Sequence, residues 1–153
     1  MQSALSFGLY IIYIDESSFT RNEGKAYGYA PKGQRVKFRL YKPNYSIGCI
    51  AAISEHGLEG FQLRDGKTNK HAFIHFIKAL VDELRSNPAV DLRKVVFYLD
   101  NATYHTTADT VALFQLLEVH YVFAPAYLSP LNPIEYFFGV VKKRLRHFYL
   151  VNK

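Results

Sequence analysis

Apolar residues fall into two kinds of run along this chain. Leu9-Tyr10-Ile11-Ile12-Tyr13-Ile14 is continuous, β-branched and aromatic, the pattern of a central strand covered on both faces, and it stops at Asp15. Val95-Val96-Phe97-Tyr98-Leu99 is a second such run and stops at Asp100; Val119 to Phe123 is a third. Tyr45 to Ser54 and Leu58 to Leu63 flank Glu55-His56-Gly57 and read as a β-hairpin. From Asn69 the period changes. Phe73, Ile77, Leu80 and Leu84 recur at helical spacing, with Thr68 or Asn69 as N-cap and an end before Pro88. A second helix is predicted from Thr107 to Glu118. A third runs from Pro133 to about Tyr149, with an apolar stripe of Ile134, Phe138, Val141, Leu145 and Phe148. Residues 16–43 are polar and read as a long excursion, with a short strand around Val36 to Leu40. Pro125, Pro130 and Pro133 punctuate the loop before the last helix.

The order is strand, hairpin, helix, strand, helix, strand, helix. Strands joined through helices run parallel. The pattern therefore predicts an α/β fold built on a mixed five-stranded sheet. The hairpin side is antiparallel, the other side parallel, and helices cover both faces, which is the topology of ribonuclease H-like domains.

Composition narrows the class. A chain of 153 residues is one domain's worth and can bury a core without staples. Lys and Arg number 19 against 13 Asp and Glu, a net charge of +6, which suits a polyanionic partner but does not specify one. The single cysteine, Cys49, excludes an internal disulfide and a Cys-rich zinc site, and reads as a core residue of a reduced, intracellular protein. Ala4 to Ile14 is apolar, but no basic residue precedes it and Asp15-Glu16 follows, so it is not expected to be a secretion signal. No run reaches membrane-spanning length, and no membrane partner is expected.

The candidate chemistry lies in the carboxylates. If the two strands that stop at Asp15 and Asp100 are adjacent and parallel, both side chains emerge at one sheet edge, where open α/β sheets bind ligands. Two close carboxylates repel unless a cation lies between them. For one Asp a strand-end turn is the simpler reading; two buried strands ending alike weaken it. Glu135 has a local explanation of its own. Asn132-Pro133-Ile134-Glu135 fits N-cap, first-turn Pro and a capping-box Glu. That role is compatible with metal binding, since the helix dipole keeps such a Glu ionised.

Four segments in order resemble the DDE domain of mariner-type transposases and their bacterial insertion-sequence relatives, a superfamily of endonucleases. They are Tyr13-Ile14-Asp15-Glu16-Ser17-Ser18-Phe19, Tyr29-Ala30-Pro31-Lys32-Gly33, Leu99-Asp100-Asn101-Ala102-Thr103-Tyr104-His105 and Ser129-Pro130-Leu131-Asn132-Pro133-Ile134-Glu135. Between Asp100 and Glu135 lie 34 residues, a spacing the family uses. The resemblance implies that Asp15, Asp100 and Glu135 are the catalytic, metal-binding triad, holding two Mg²⁺ ions for which Mn²⁺ can substitute. Glu16 is expected to be a neighbour and no ligand. Asn101 and His105 match the family's Asp-Asn-x-x-x-His block and are expected to orient phosphate or a water, with turn chemistry after a strand as the competing explanation. Phe137 and Phe138 stand where the family often has Trp. Only 14 residues precede Asp15, so residues 1–153 are expected to be a single ribonuclease H-like catalytic domain without the helix-turn-helix modules of the family.

The implied function is metal-dependent hydrolysis of DNA at transposon ends, followed by joining of 3′-OH ends to target DNA. A homodimer would form on the DNA, inside the cell and with the genome. Positions 139, 142 and 146 share the helical face of Glu135 and hold Gly139, Lys142 and Arg146. Glycine permits close approach of a backbone, and Lys142, Arg146 and the adjacent Lys143 are expected to meet DNA phosphates. A solvated basic face is the plainer alternative. Two other readings stay open: a ribonuclease H-like nuclease without strand transfer, and a domesticated or truncated domain that binds DNA or protein without catalysis. Gly66-Lys67-Thr68 is no phosphate-binding loop, because the upstream glycine it requires is Phe61.

Overall fold

The computed structural model describes residues 8–20, 30–34, 45–125 and 132–151. The elements are β1 (Tyr10–Thr20), β2 (Ser46–Ser54), β3 (Gly57–Asp65), α1 (Lys70–Ser86), β4 (Val95–Leu99), α2 (Ala108–Leu116), β5 (His120–Phe123) and α3 (Pro133–Val151). The strand expected around Val36 to Leu40 lies outside the described residues. The strands form one sheet in the order β3-β2-β1-β4-β5. β1 pairs antiparallel with β2, and β2 with β3, while β1–β4 and β4–β5 are parallel. The antiparallel hairpin side and parallel far side are those the hydrophobic pattern predicted.

β1 differs from the expectation in one respect that matters. It does not stop at Asp15. Its parallel pairing with β4 ends at Ile14↔Leu99, but its antiparallel pairing with β2 continues to Thr20↔Ser46. Glu16 to Thr20 read as the start of the polar excursion over residues 16–43, yet Phe19 alternates into a core and β2 supplies the ladder hydrogen bonds.

Two apolar layers sandwich the sheet. On one face Ile12, Ile14, Ile50, Ala52, Phe97 and Leu99 meet α1 through Phe73, Ile77, Leu80 and Leu84, and α2 through Leu113 and Phe114. On the other, Phe19, Cys49 and Ala51 meet Ile134 and Phe138 of α3. Full burial of side chains of this size contributes about 1.5–3 kcal/mol each. Helices thus cover both faces. The stripe of α3 is shorter than expected: Phe148 is 60% exposed and lies outside this layer. Burial pushes the Cys49 thiol up to about 11, so it behaves as a small apolar core residue.

The helix starts follow the sequence signals. Asn69 Oδ1 accepts the N–H of Ala72 at 3.0 Å at the start of α1. Thr107 caps α2, its hydroxyl accepting the N–H of Thr110 at 3.4 Å. Asn132 Oδ1 accepts the N–H of Ile134 at 3.3 Å at the start of α3.

Candidate active site

Asp15 and Asp100 are the residues that follow the last parallel pair, Ile14↔Leu99, on two adjacent central strands. Asp15 pairs with Ala51 across the antiparallel ladder and shares its face, the one covered by α3. It is 9% exposed. Glu135 lies in the first turn of that helix and is exposed.

These positions interact. Burial pushes the Asp15 carboxyl up to about 7; the N–H of Glu16, donating to Asp15 Oδ1 at 2.7 Å, works against the rise, and the charges of Glu16, Asp100 and Glu135 add to it. Two strands and one helix thus bring the fields of three carboxylates to a single region. Among the described residues, Asp15, Asp100 and Glu135 included, no three His, Cys, Asp or Glu side chains are grouped so that they could hold a metal ion. The donor chemistry nevertheless fits a hard divalent cation: all three groups offer carboxylate oxygens, and the buried one is unfavourable as an isolated anion.

Asp100 is held from the opposite side. Its Oδ1 accepts the N–H of Ala102 at 2.9 Å and lies 2.7 Å from His105 Nδ1. The same nitrogen is 3.3 Å from the Asp100 carbonyl, so the shorter side-chain contact is the principal one. His105 is fully buried, and its Nε2 lies 3.0 Å from Glu16 Oε1. Burial opposes a charge on this imidazole, but hydrogen bonds to Asp100 and Glu16 outweigh it and raise its pKa to about 9. The contact with His105 correspondingly holds Asp100 below the usual carboxylate range. Burial and the adjacent Glu16 carboxylate keep the Tyr104 phenol protonated.

Sequence reading underrated Glu16. Strand alternation puts it on the face of Ile12 and Ile14, which is core. A carboxylate on a core face needs a partner, and that was the available signal. Asn101 is accounted for structurally: its side-chain N–H donates to the Ala124 carbonyl at 2.5 Å, tying the end of β4 to the segment after β5.

On α3, Lys142 is half-buried, its ammonium 5.9 Å from the centre of the Phe19 ring. Lys143 and Arg146 are exposed. Gly139 is exposed, and a Cβ there would meet nothing within 4 Å, so packing within the described residues does not require glycine at that position.

Residues 10–152 match the model of a family described as DDE superfamily endonuclease. No curated protein matches the chain. Among solved structures it is similar to a pre-cleavage Mos1 transpososome, with a TM-score of 0.73, 22% identity, and coverage of 88% of this chain and 42% of that one. The Mos1 mariner paired end complex with Mn gives 0.68 and 20%, covering 94% and 48%. The Mos1 transposase catalytic domain with Raltegravir and Mg gives 0.64 and 19%, covering 90% and 61%. At these identities the likeness is one of fold, in keeping with the ribonuclease H-like topology. The chain spans about half the length of the solved structures it matches.

Proposed function

The chain belongs to the DDE superfamily endonuclease family, and from that premise we propose that it is the catalytic domain of a transposase. In this reading it hydrolyses phosphodiester bonds at transposon ends and joins the freed 3′-OH ends to target DNA. One observation carries the reading: Asp15 and Asp100 follow the last parallel pair of two adjacent central strands, and Asp15 faces the helix whose first turn holds Glu135. Carboxylates that share an edge of a sheet favour a cation between them.

Asp15, Asp100 and Glu135 would hold two Mg²⁺ ions, with Mn²⁺ as a substitute. When bound, such ions supply positive charge at the scissile phosphate and make a nucleophilic water easier to deprotonate. The chain's own residues set the conditions for this. β1 and β4 hold Asp15 and Asp100 one step beyond a shared ladder. The N–H of Ala102 and the ring of His105 pin one oxygen of Asp100. Glu135 stands in the first turn of α3, at the positive end of the helix dipole. In this reading Lys142, Lys143 and Arg146, further along the same helix, would meet phosphates of a DNA strand. The Mos1 structures include paired-end complexes, and we read the working form here as a homodimer on DNA, acting where the genome is. Among the described residues no helix is long and apolar enough to cross a membrane.

The test uses labelled transposon-end DNA with Mg²⁺ or Mn²⁺. The expected outcome is metal-dependent nicking that Asp100→Asn abolishes. DNA binding without cleavage under either metal would reject the catalytic reading in favour of a binding domain.

A further inference from the structure

Asp15 and Glu16 are consecutive on a strand, so their side chains leave opposite faces of the sheet. Asp15 faces the layer under α3. Glu16 faces the layer under α1, where His105 lies fully buried against the rings of Phe73, at 4.4 Å between centroids, and Tyr104, at 4.6 Å. Both nitrogens of that imidazole meet carboxylates: Nε2 meets Glu16 Oε1 at 3.0 Å and Nδ1 meets Asp100 Oδ1 at 2.7 Å. The N–H of Ala102 reaches the same Asp100 oxygen. Both side-chain contacts of Asp100 therefore fall on Oδ1, and its rotation is fixed by groups it does not share with Asp15.

We propose that Glu16 is the positioning residue for Asp100, acting through His105 so that Oδ1 stays engaged with the protein and Oδ2 is presented to the cation. The inference rests on the reading of Asp100 as a metal ligand. The rings of Phe73 and Tyr104 limit ring rotation, so a displacement at Glu16 passes to Asp100 without being absorbed by a turn of the imidazole. Partners that orient a metal ligand typically change metal affinity by about 10–100-fold when removed.

The probe is Mn²⁺, titrated into the purified chain and followed by disappearance of the free-ion EPR signal. Glu16→Gln keeps the length and can hydrogen-bond either tautomer of the ring. Glu16→Asp keeps the charge but falls one methylene short of His105. The expected order of affinity is wild type, then Glu16→Gln close behind, then Glu16→Asp and Glu16→Ala weaker by roughly tenfold or more. A general charge effect would reverse the order of Gln and Asp, and that reversal would overturn the proposal. So would wild-type affinity in all three variants while Asp100→Asn loses Mn²⁺; in that case the metal-ligand reading stands and only the positioning role falls. If Asp100→Asn itself binds Mn²⁺ as the wild type does, both fall together. Should Glu16→Ala fail to fold, the Gln and Asp pair still decides.

Discussion

Asp15 is the residue where the proposed function and stability pull hardest against each other. Its carboxyl is driven up to about 7 by burial first and by neighbouring charges after that. A folded pKa above the 3.8 of an ordinary Asp means that the native state holds the proton more tightly. The stability this contributes is fully present below the unfolded pKa and is lost as pH rises through the folded one. With chelator present, Asp15→Asn should therefore be more stable than the wild type at pH 8, by roughly 1–3 kcal/mol. The two should converge as pH falls towards about 4. Urea unfolding midpoints at the two pH values measure this, and an unchanged midpoint at pH 8 would count against the burial argument. Activity should vanish in the same variant, the usual conflict between a working site and a quiet core. Both candidate aspartates were legible in the sequence as the residues at which apolar runs stop. Glu16 and its bond to His105 were not, because 89 residues separate the partners and only the fold makes them neighbours.

At the scale of elements, local chemistry predicted the starts well and the ends less well. Asn69 starts α1 with a side chain that also accepts from Arg64 Nη1 at 3.0 Å. Asn69→Ala should cost about 1 kcal/mol in a denaturant melt, the usual worth of an N-cap. The end of α2 depends on Glu118, the only described non-glycine residue at positive φ, at 57°. There the N–H groups of Glu118 and Val119 close the helix onto the carbonyls of Gln115 and Phe114. The left-handed conformation costs an L-residue roughly 1–2 kcal/mol, and glycine gives back part of that as unfolded-state entropy. Glu118→Gly should thus stabilise the protein by up to about 1 kcal/mol in the same assay. β1 ran longer than its apolar core because a partner strand, not hydrophobicity, decides how far a ladder extends. The apolar stripe of α3 packs into the layer as far as Leu145, and Phe148 beyond it is exposed at 60%.

At the scale of the whole molecule, the predicted DNA-facing surface is the side of α3 that begins at Glu135 and continues through Lys142 and Arg146. Removing a cation that meets one phosphate should reduce the slope of log affinity against log salt by about 0.9. Lys142→Ala and Arg146→Ala are expected to do so, measured with transposon-end duplex at several salt concentrations. An unchanged slope in both would leave this face as an ordinary solvated surface. The sequence by itself determined the strand and helix order, the mixed sheet and its covering on both faces, because hydrophobic period and helix caps act over a few residues. It also marked Asp15, Asp100 and Glu135, each by the way an element begins or an apolar run ends. Tertiary structure alone decided that β1 and β4 part at one register, that the charges of residues 100 and 135 fall on residue 15, and that an imidazole joins Glu16 to Asp100. The reason is physical: electrostatic coupling and hydrogen bonding depend on distance in space, and that distance is set by strand pairing between segments far apart in the chain.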